Sequence, residues 1–133
     1  MLVIDTNVWI SYSLFREGRL AANLKVLLAE YGYALSNKCY AELLEVLMRP
    51  KFDRFATANE RETMLRRIAI HADWFAPQKT ITDCRDPKDN KFLELAVASN
   101  AIAILTGDDD LLTLHPFRGI AISTVEAFAE KES

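Results

Sequence analysis

The chain has 133 residues and a mass of 15.1 kDa, and at 50% hydrophobic and 26% charged it has the composition of one folded globular domain, which excludes a mainly disordered or fibrous chain. Area scaling buries about two thirds of such a chain's surface, so a core forms without disulfide or metal staples. Sixteen Lys and Arg against nineteen Asp and Glu give a net charge of −3, which excludes a general basic nucleic-acid coat and leaves room for a local one.

Residues 2–4, Leu-Val-Ile, are an apolar run stopped by Asp5 and the turn-forming Thr6-Asn7, which predicts a buried strand ending in a loop. Leu20, Leu24, Leu27 and Leu28 recur on one face of a helix over residues 19–30, and Gly32 ends it. A second strand is expected at residues 33–35. Ser36 or Asn37 then caps a helix with Tyr40, Leu43, Leu44 and Leu47 as its stripe, stopped by Arg49-Pro50. A longer helix over residues 58–75 turns Met64, Leu65, Ile68 and Phe75 inward and closes at Pro77; residues 80–82 follow as a short strand. Asp86-Pro87 opens a helix with Phe92, Leu95, Ala96 and Ser99 on one side. Residues 101–105 are a wholly apolar strand ended by Thr106-Gly107-Asp108, and residues 119–123 are another. Residues 124–131 form a last amphipathic helix carrying Val125, Phe128 and Ala129. Strands alternating with helices build βαβ units, so the expected fold is α/β: a three-layer sandwich with a central parallel sheet flanked by helices, residues 1–133 forming one domain.

Four glycines, Gly18, Gly32, Gly107 and Gly119, cannot write a G-x-G-x-x-G, a P-loop or a G-x-S-x-G elbow, which removes dinucleotide, P-loop nucleotide and α/β-hydrolase chemistry. Cys39 and Cys84 share no C-x-x-C spacing, and free thiols fit a reducing compartment. The amino terminus lacks a basic segment followed by a long apolar stretch, so the chain reads as cytoplasmic, with no membrane span.

In open parallel sheets, ligands sit beyond the carboxyl ends of the strands. Asp5 follows the first strand, Asp108, Asp109 and Asp110 follow the strand at 101–105, and Asp86 and Asp89 open a helix. Six of the nine aspartates lie in the 28 residues from Asp83 to Asp110, so most are candidates for one rim. Two carboxylates 4 Å apart repel by roughly 4 kcal/mol at an effective dielectric near 20. They must fan into solvent, take up protons, or hold a hard divalent cation such as Mg²⁺ or Mn²⁺. No histidine or cysteine cluster accompanies them, which argues against zinc. A cation held there suits phosphodiester or phosphate hydrolysis. Simpler roles stand beside this one: Asp86 before Pro87 is a helix cap, Asp89 complements a helix dipole, and Glu42 lies off its helix's apolar stripe as a surface residue. His71 and His115 read as packing or surface residues.

Four segments taken in order, Leu2-Val3-Ile4-Asp5-Thr6-Asn7-Val8-Trp9, a helical Glu42, Asp86-Pro87-Lys88-Asp89-Asn90-Lys91-Phe92, and Leu105-Thr106-Gly107-Asp108-Asp109-Asp110-Leu111-Leu112, resemble the PIN-domain family. Within it they are similar to the VapC-like ribonucleases, the toxin components of prokaryotic toxin–antitoxin systems. The resemblance runs from Leu2 to about Phe128. It implies a parallel sheet of order 3-2-1-4-5 and metal-dependent endoribonuclease activity, with acids gathered around Mg²⁺ or Mn²⁺. Asp5, Glu42, Asp89 and Asp108 match the family's four acids, Asp110 a further one and Asp86 a less regular one. Thr6, Asn7 and Thr106 fall in its polar support. The roles implied are metal binding by Asp5, Asp89 and Asp108, with Asp110 and Asp86 as further candidates, and a Glu42 that orients the attacking water. The partners implied are RNA, a cognate antitoxin protein and a second copy of the chain in a homodimer.

Arg49, Lys51, Arg54, Arg61, Arg66 and Arg67 put six of the sixteen basic residues in nineteen positions, a candidate stripe for tracking RNA phosphates. Two other readings stay open. One is a PIN-like module that binds RNA or protein without cleaving. The other is an aspartate-based phosphatase or receiver, which also places an aspartate after the first strand but finds Asn7 where a second acid, and Thr106 or Ser123 where a lysine, is wanted.

Overall fold

Leu2, Val3 and Ile4 are each at most 3% exposed, and they form β1 (Leu2–Ile4) in the middle of the sheet. A strand covered on both faces carries no polar alternation, which is why its sequence reads as an unbroken apolar run. The structure, a computed structural model, describes residues 1–132. β1 pairs in parallel with β4 (Ala103–Leu105), and β4 pairs in parallel with β5 (Ala121–Ser123). On the other side, β2 (Ala34–Leu35) pairs in parallel with β3 (Asp73–Trp74). A parallel bridge between Leu2 and Tyr33 joins these two ladders, with the Leu2 N–H donating to the Gly32 carbonyl at 3.0 Å. The lateral order is therefore 3-2-1-4-5, and helices flank this central parallel sheet as an α/β sandwich.

The third strand is not where the sequence pattern puts it. Residues 80–82 form no strand; Ile81 is buried there, and its N–H donates to Glu94 Oε2 at 3.0 Å instead of to a neighbouring strand. The strand lies instead at Asp73–Trp74, inside the stretch expected to stay helical to residue 75. The helix α4 (Ala58–His71) stops earlier because the Asp73 and Phe75 N–H groups donate to the carbonyls of Tyr33 and Leu35 at 3.0 and 2.9 Å. Two residues are too few to show a period of two, so only the neighbouring strand reveals this one.

A second difference concerns Thr6-Asn7, which opens α1 (Thr6–Leu14) and not a loop. Asp5 is its N-cap and accepts from the Asn7 N–H at 3.4 Å. The consecutive residues Val8, Trp9 and Ile10 are all buried, so the helix has no one-sided stripe for a reader of periodicity to find. α2 (Arg19–Tyr31) lies alongside α7 (Val125–Glu132), tied at one end by Arg19 with Glu126 and at the other by Tyr31 with Glu132. α3 (Asn37–Leu47), capped by Ser36, buries Cys39, Leu43 and Leu47, whereas Leu44 is 44% exposed and leaves the expected stripe. α5 (Asn90–Ser99) follows a 3-10 turn at Pro87–Asp89 and packs on β1, β2 and β4, and α6 (Asp109–Leu112) leaves the end of β4. Cys39 and Cys84 are buried free thiols. Among the described residues no helix is long and apolar enough to cross a membrane.

Candidate active site

Parallel pairing brings the carboxyl ends of β1 and β4 together, and with them Asp5 and Thr106. The Thr106 hydroxyl, fully buried, donates to Asp5 Oδ2 at 2.6 Å and accepts from the Asp108 N–H at 3.0 Å. One side chain thereby fixes the carboxylate after β1 and the backbone after β4. Asp108 in turn caps α6, its Oδ1 accepting from the Asp110 N–H at 2.9 Å. Asp5 is 5% exposed, and burial pushes its carboxyl up from the usual range. The Thr106 and Asn7 hydrogen bonds oppose that shift, and the charges of Asp108 and Glu42 add to it.

Asp89, at the end of the 3-10 turn before α5, reaches the same cluster. Burial, a shared-proton contact with Asp108 and the charges of Asp108, Asp5 and Asp86 push its carboxyl up to about 7. Its Oδ2 is buried without a hydrogen-bond partner in the protein. Glu42 comes from α3, where its Oε1 accepts from the Thr6 hydroxyl at 2.5 Å and its Oε2 from the Lys91 ammonium at 2.7 Å. It is no loose surface glutamate: its side chain is 26% exposed and sits within electrostatic reach of Asp5. Asp86 spends a carboxylate oxygen on the Lys88 N–H at 3.1 Å, the capping role that its place before Pro87 suggests. Asp110 stands half-buried in the first turn of α6, its backbone carbonyl accepting from the Cys84 thiol at 3.7 Å.

The fold thus draws Asp5, Glu42, Asp89 and Asp108 to one edge, with Thr6, Asn7 and Thr106 as their support. Among the described residues no three His, Cys, Asp or Glu side chains are already drawn together as a ready-made metal cage. The donor set nevertheless fits a hard cation: it is all oxygen, its members raise one another's affinity for positive charge, and one buried carboxylate oxygen lacks a partner.

Residues 1–110 match the PIN domain family. The chain belongs to the PIN domain family. PIN domains are generally nucleases, so the acidic edge of this one is where hydrolytic chemistry is to be sought. The chain is also similar to an uncharacterized protein of Methanocaldococcus jannaschii, 32% identical over 117 residues, which are 86% of this chain and 74% of the relative. No solved structure matches it.

Lys91 is the residue of this PIN domain's edge that reading the sequence passes over. It lies inside the Asp86–Phe92 motif, but nothing in the spacing says that its ammonium turns toward Glu42 on another helix. The basic stripe is reshaped as well. Arg61 is 1% exposed and cannot track phosphates; its guanidinium donates to the carbonyls of Leu47 and Arg49 at 3.0 and 3.1 Å and pairs with Asp53 at 2.5 Å. It closes the end of α3 and anchors the connection to α4. Arg49 pairs with Glu45 at 2.7 Å. Lys51, Arg54, Arg66 and Arg67 remain exposed, with Lys51 and Arg54 lying 5.1 and 4.7 Å from the rings of Phe52 and Phe55.

A groove of about 650 Å³ runs between α1, α2 and α4 of the PIN domain. Trp9, Tyr33, Met64 and Ile68 are among its apolar lining, and its charged lining residues are Arg16, Lys25 and Arg67, with His71 beside them. Asp5, Asp89 and Asp108 do not line it.

Proposed function

We propose that this PIN domain is a Mg²⁺- or Mn²⁺-dependent endoribonuclease that works at the edge defined by Asp5, Glu42, Asp89 and Asp108. The observation that carries the reading is the buried, unpartnered Oδ2 of Asp89 within a group of carboxylates that repel one another. A buried acceptor without a donor costs about 1–3 kcal/mol, and a cation removes that cost together with the repulsion. Asp5, Asp89 and Asp108 would hold the ion, with Asp110 and Asp86 at its margin. When bound, such an ion supplies positive charge to a nonbridging phosphate oxygen and lowers the pKa of a water molecule.

The protein's own groups do the rest. Thr106 keeps Asp5 and the start of α6 in register. Glu42, held by Thr6 and Lys91, orients the attacking water, since each of its oxygens keeps a second lone pair free. In-line attack leaves a 5′-phosphate and a 3′-hydroxyl. Exposed Lys51, Arg54, Arg66 and Arg67, with Arg54 and Arg67 beside the 41% exposed ring of Phe55, favour a single-stranded substrate, for which cations meet the backbone and an aromatic face meets a base.

We extend the reading to a toxin restrained by an antitoxin protein. The groove between α1, α2 and α4 supports it, because an apolar floor with cationic edges suits an acidic amphipathic segment.

The deciding experiment incubates a degenerate single-stranded RNA pool with purified protein and Mn²⁺, Mg²⁺ or EDTA, and reads the products by end sequencing beside Asp5→Asn. Metal-dependent cuts that vanish in the variant support the nuclease. RNA retention without cuts in any metal would replace it by the binding module.

A further inference from the structure

Both carboxylate oxygens of Glu42 are engaged by the protein itself. Oε1 receives the Thr6 hydroxyl at 2.5 Å, and Oε2 receives the Lys91 ammonium at 2.7 Å. The ammonium is anchored a second time by the Lys88 carbonyl. The Lys91 side chain is 15% exposed, and its backbone carbonyl accepts from the Cys39 thiol at 3.8 Å, a contact between α3 and the backbone of α5. The Nζ also lies 5.4 Å from the centre of the Phe92 ring.

The position is electrostatically odd for a lysine. Lys91 stands in the first turn of α5, at the positive end of the helix dipole, where a cation is disfavoured. A cation that is mostly buried at the positive end of a helix needs nearby negative charge to hold it there. Glu42 supplies that charge directly, and Asp89 stands two residues earlier in the chain.

The four carboxylates carry −4 when all are ionised, which two divalent ions would cancel and which one divalent ion with a fixed ammonium would reduce to −1. We propose that Lys91 is that fixed charge: its ammonium serves as the second cation of the edge, positions Glu42, and limits the PIN domain to one divalent metal ion. The ion then belongs to the side of the cluster formed by Asp5, Asp89 and Asp108, where the unpartnered oxygen lies. A second dication on Glu42 would have to share its carboxylate with the ammonium at Oε2 and meet its repulsion at close range. Lys91 is accordingly a positioning residue. The inference rests on the metal-binding part of the proposed function and is independent of whether RNA is the substrate.

The test counts Mn²⁺ ions by the loss of the free-ion paramagnetic resonance signal during titration, with protein well above the dissociation constant. The wild type saturates at one ion per chain, and Lys91→Arg, which keeps the charge, does the same. Lys91→Met takes up two, the second at least tenfold tighter than any second binding by the wild type. Cleavage is the other readout: Lys91→Met loses at least tenfold in kcat with KM for RNA unchanged within about twofold, and Lys91→Arg recovers most of it. Two ions in the wild type, no ion in the wild type, or one ion in a folded Lys91→Met overturns the inference. If Lys91→Met does not fold, the wild-type count and Lys91→Gln decide by the same criteria. A wild type that binds one ion beside a Lys91→Met that binds two, with all RNA left intact, upholds the role of Lys91 and refutes the nuclease. A wild type that cuts RNA with two ions bound does the reverse.

Discussion

Replacing Asp89 by asparagine makes the metal-free protein more stable while removing its chemistry. In the metal-free protein the Asp89 carboxyl stands at about 7 against an ordinary aspartate value of 3.8, first because it is buried and then because Asp108 shares its proton and repels its charge. For a sealed group that gap is worth about 4 kcal/mol; Asp89 is half-buried, and solvent screening reduces it to about 1–2 kcal/mol. The sign follows from linkage. A carboxyl raised on folding binds its proton more tightly in the native state, so its contribution is full below about pH 4 and is lost as pH climbs to about 7. At pH 8 in EDTA the wild type carries the whole penalty, and Asp89→Asn carries none. The variant should therefore melt roughly 3–8 °C higher at pH 8 and gain little at pH 5. Saturating Mn²⁺ reverses the order: at a hundredfold excess over the dissociation constant the wild type gains about 2.7 kcal/mol, and the variant gains much less. Differential scanning calorimetry at pH 5 and 8, with EDTA and with Mn²⁺, reads all of this. An Asp89→Asn melting point at or below the wild type's at pH 8 in EDTA would refute the electrostatic account of the edge.

Three further outcomes follow from the same geometry. Thr106→Val removes the donor to Asp5 and the acceptor for the Asp108 N–H, so it should cost about 1–2 kcal/mol in urea unfolding and at least tenfold in cleavage, with Thr106→Ser restoring both. Arg61→Met leaves the Leu47 and Arg49 carbonyls without their donor and should lower unfolding free energy by about 2–4 kcal/mol, while the folded fraction cuts at the wild-type rate; a shift under 0.5 kcal/mol would contradict its role as an anchor. Changing Arg66 and Arg67 to glutamine should reduce the slope of log binding constant against log salt by about 1.4 for single-stranded RNA, and an unchanged slope would remove them from the RNA path.

The amino-acid sequence by itself determined the class of fold and most of the acidic edge. Unbroken apolar runs at residues 2–4 and 103–105 mark doubly covered strands, and the stripe on α2 and the caps at Ser36 and Asp86 are local chemistry that a linear pattern records. Asp5 and Asp108 were legible because they follow strand ends, and chain direction in a parallel sheet sends those ends to one rim; Asp89 was legible as the opening of a helix, and Glu42 only through the family resemblance. Tertiary structure decided what depends on partners far apart in the chain. β3 is two residues long and exists only because Tyr33 and Leu35 offer it carbonyls. Helix α1 is buried on more than one side, so its sequence lacks the periodicity that exposes a helix to inspection. Arg61 has the composition of a surface cation, and it is the carbonyls at the end of α3, with Asp53, that hold it inside. Lys91 and Glu42 are 49 residues apart on different helices, and their pairing is a property of how α3 lies against α5. Sequence patterns follow local periodicity and backbone chemistry; the charges that balance a site are assigned by packing, which brings together residues that share no local pattern.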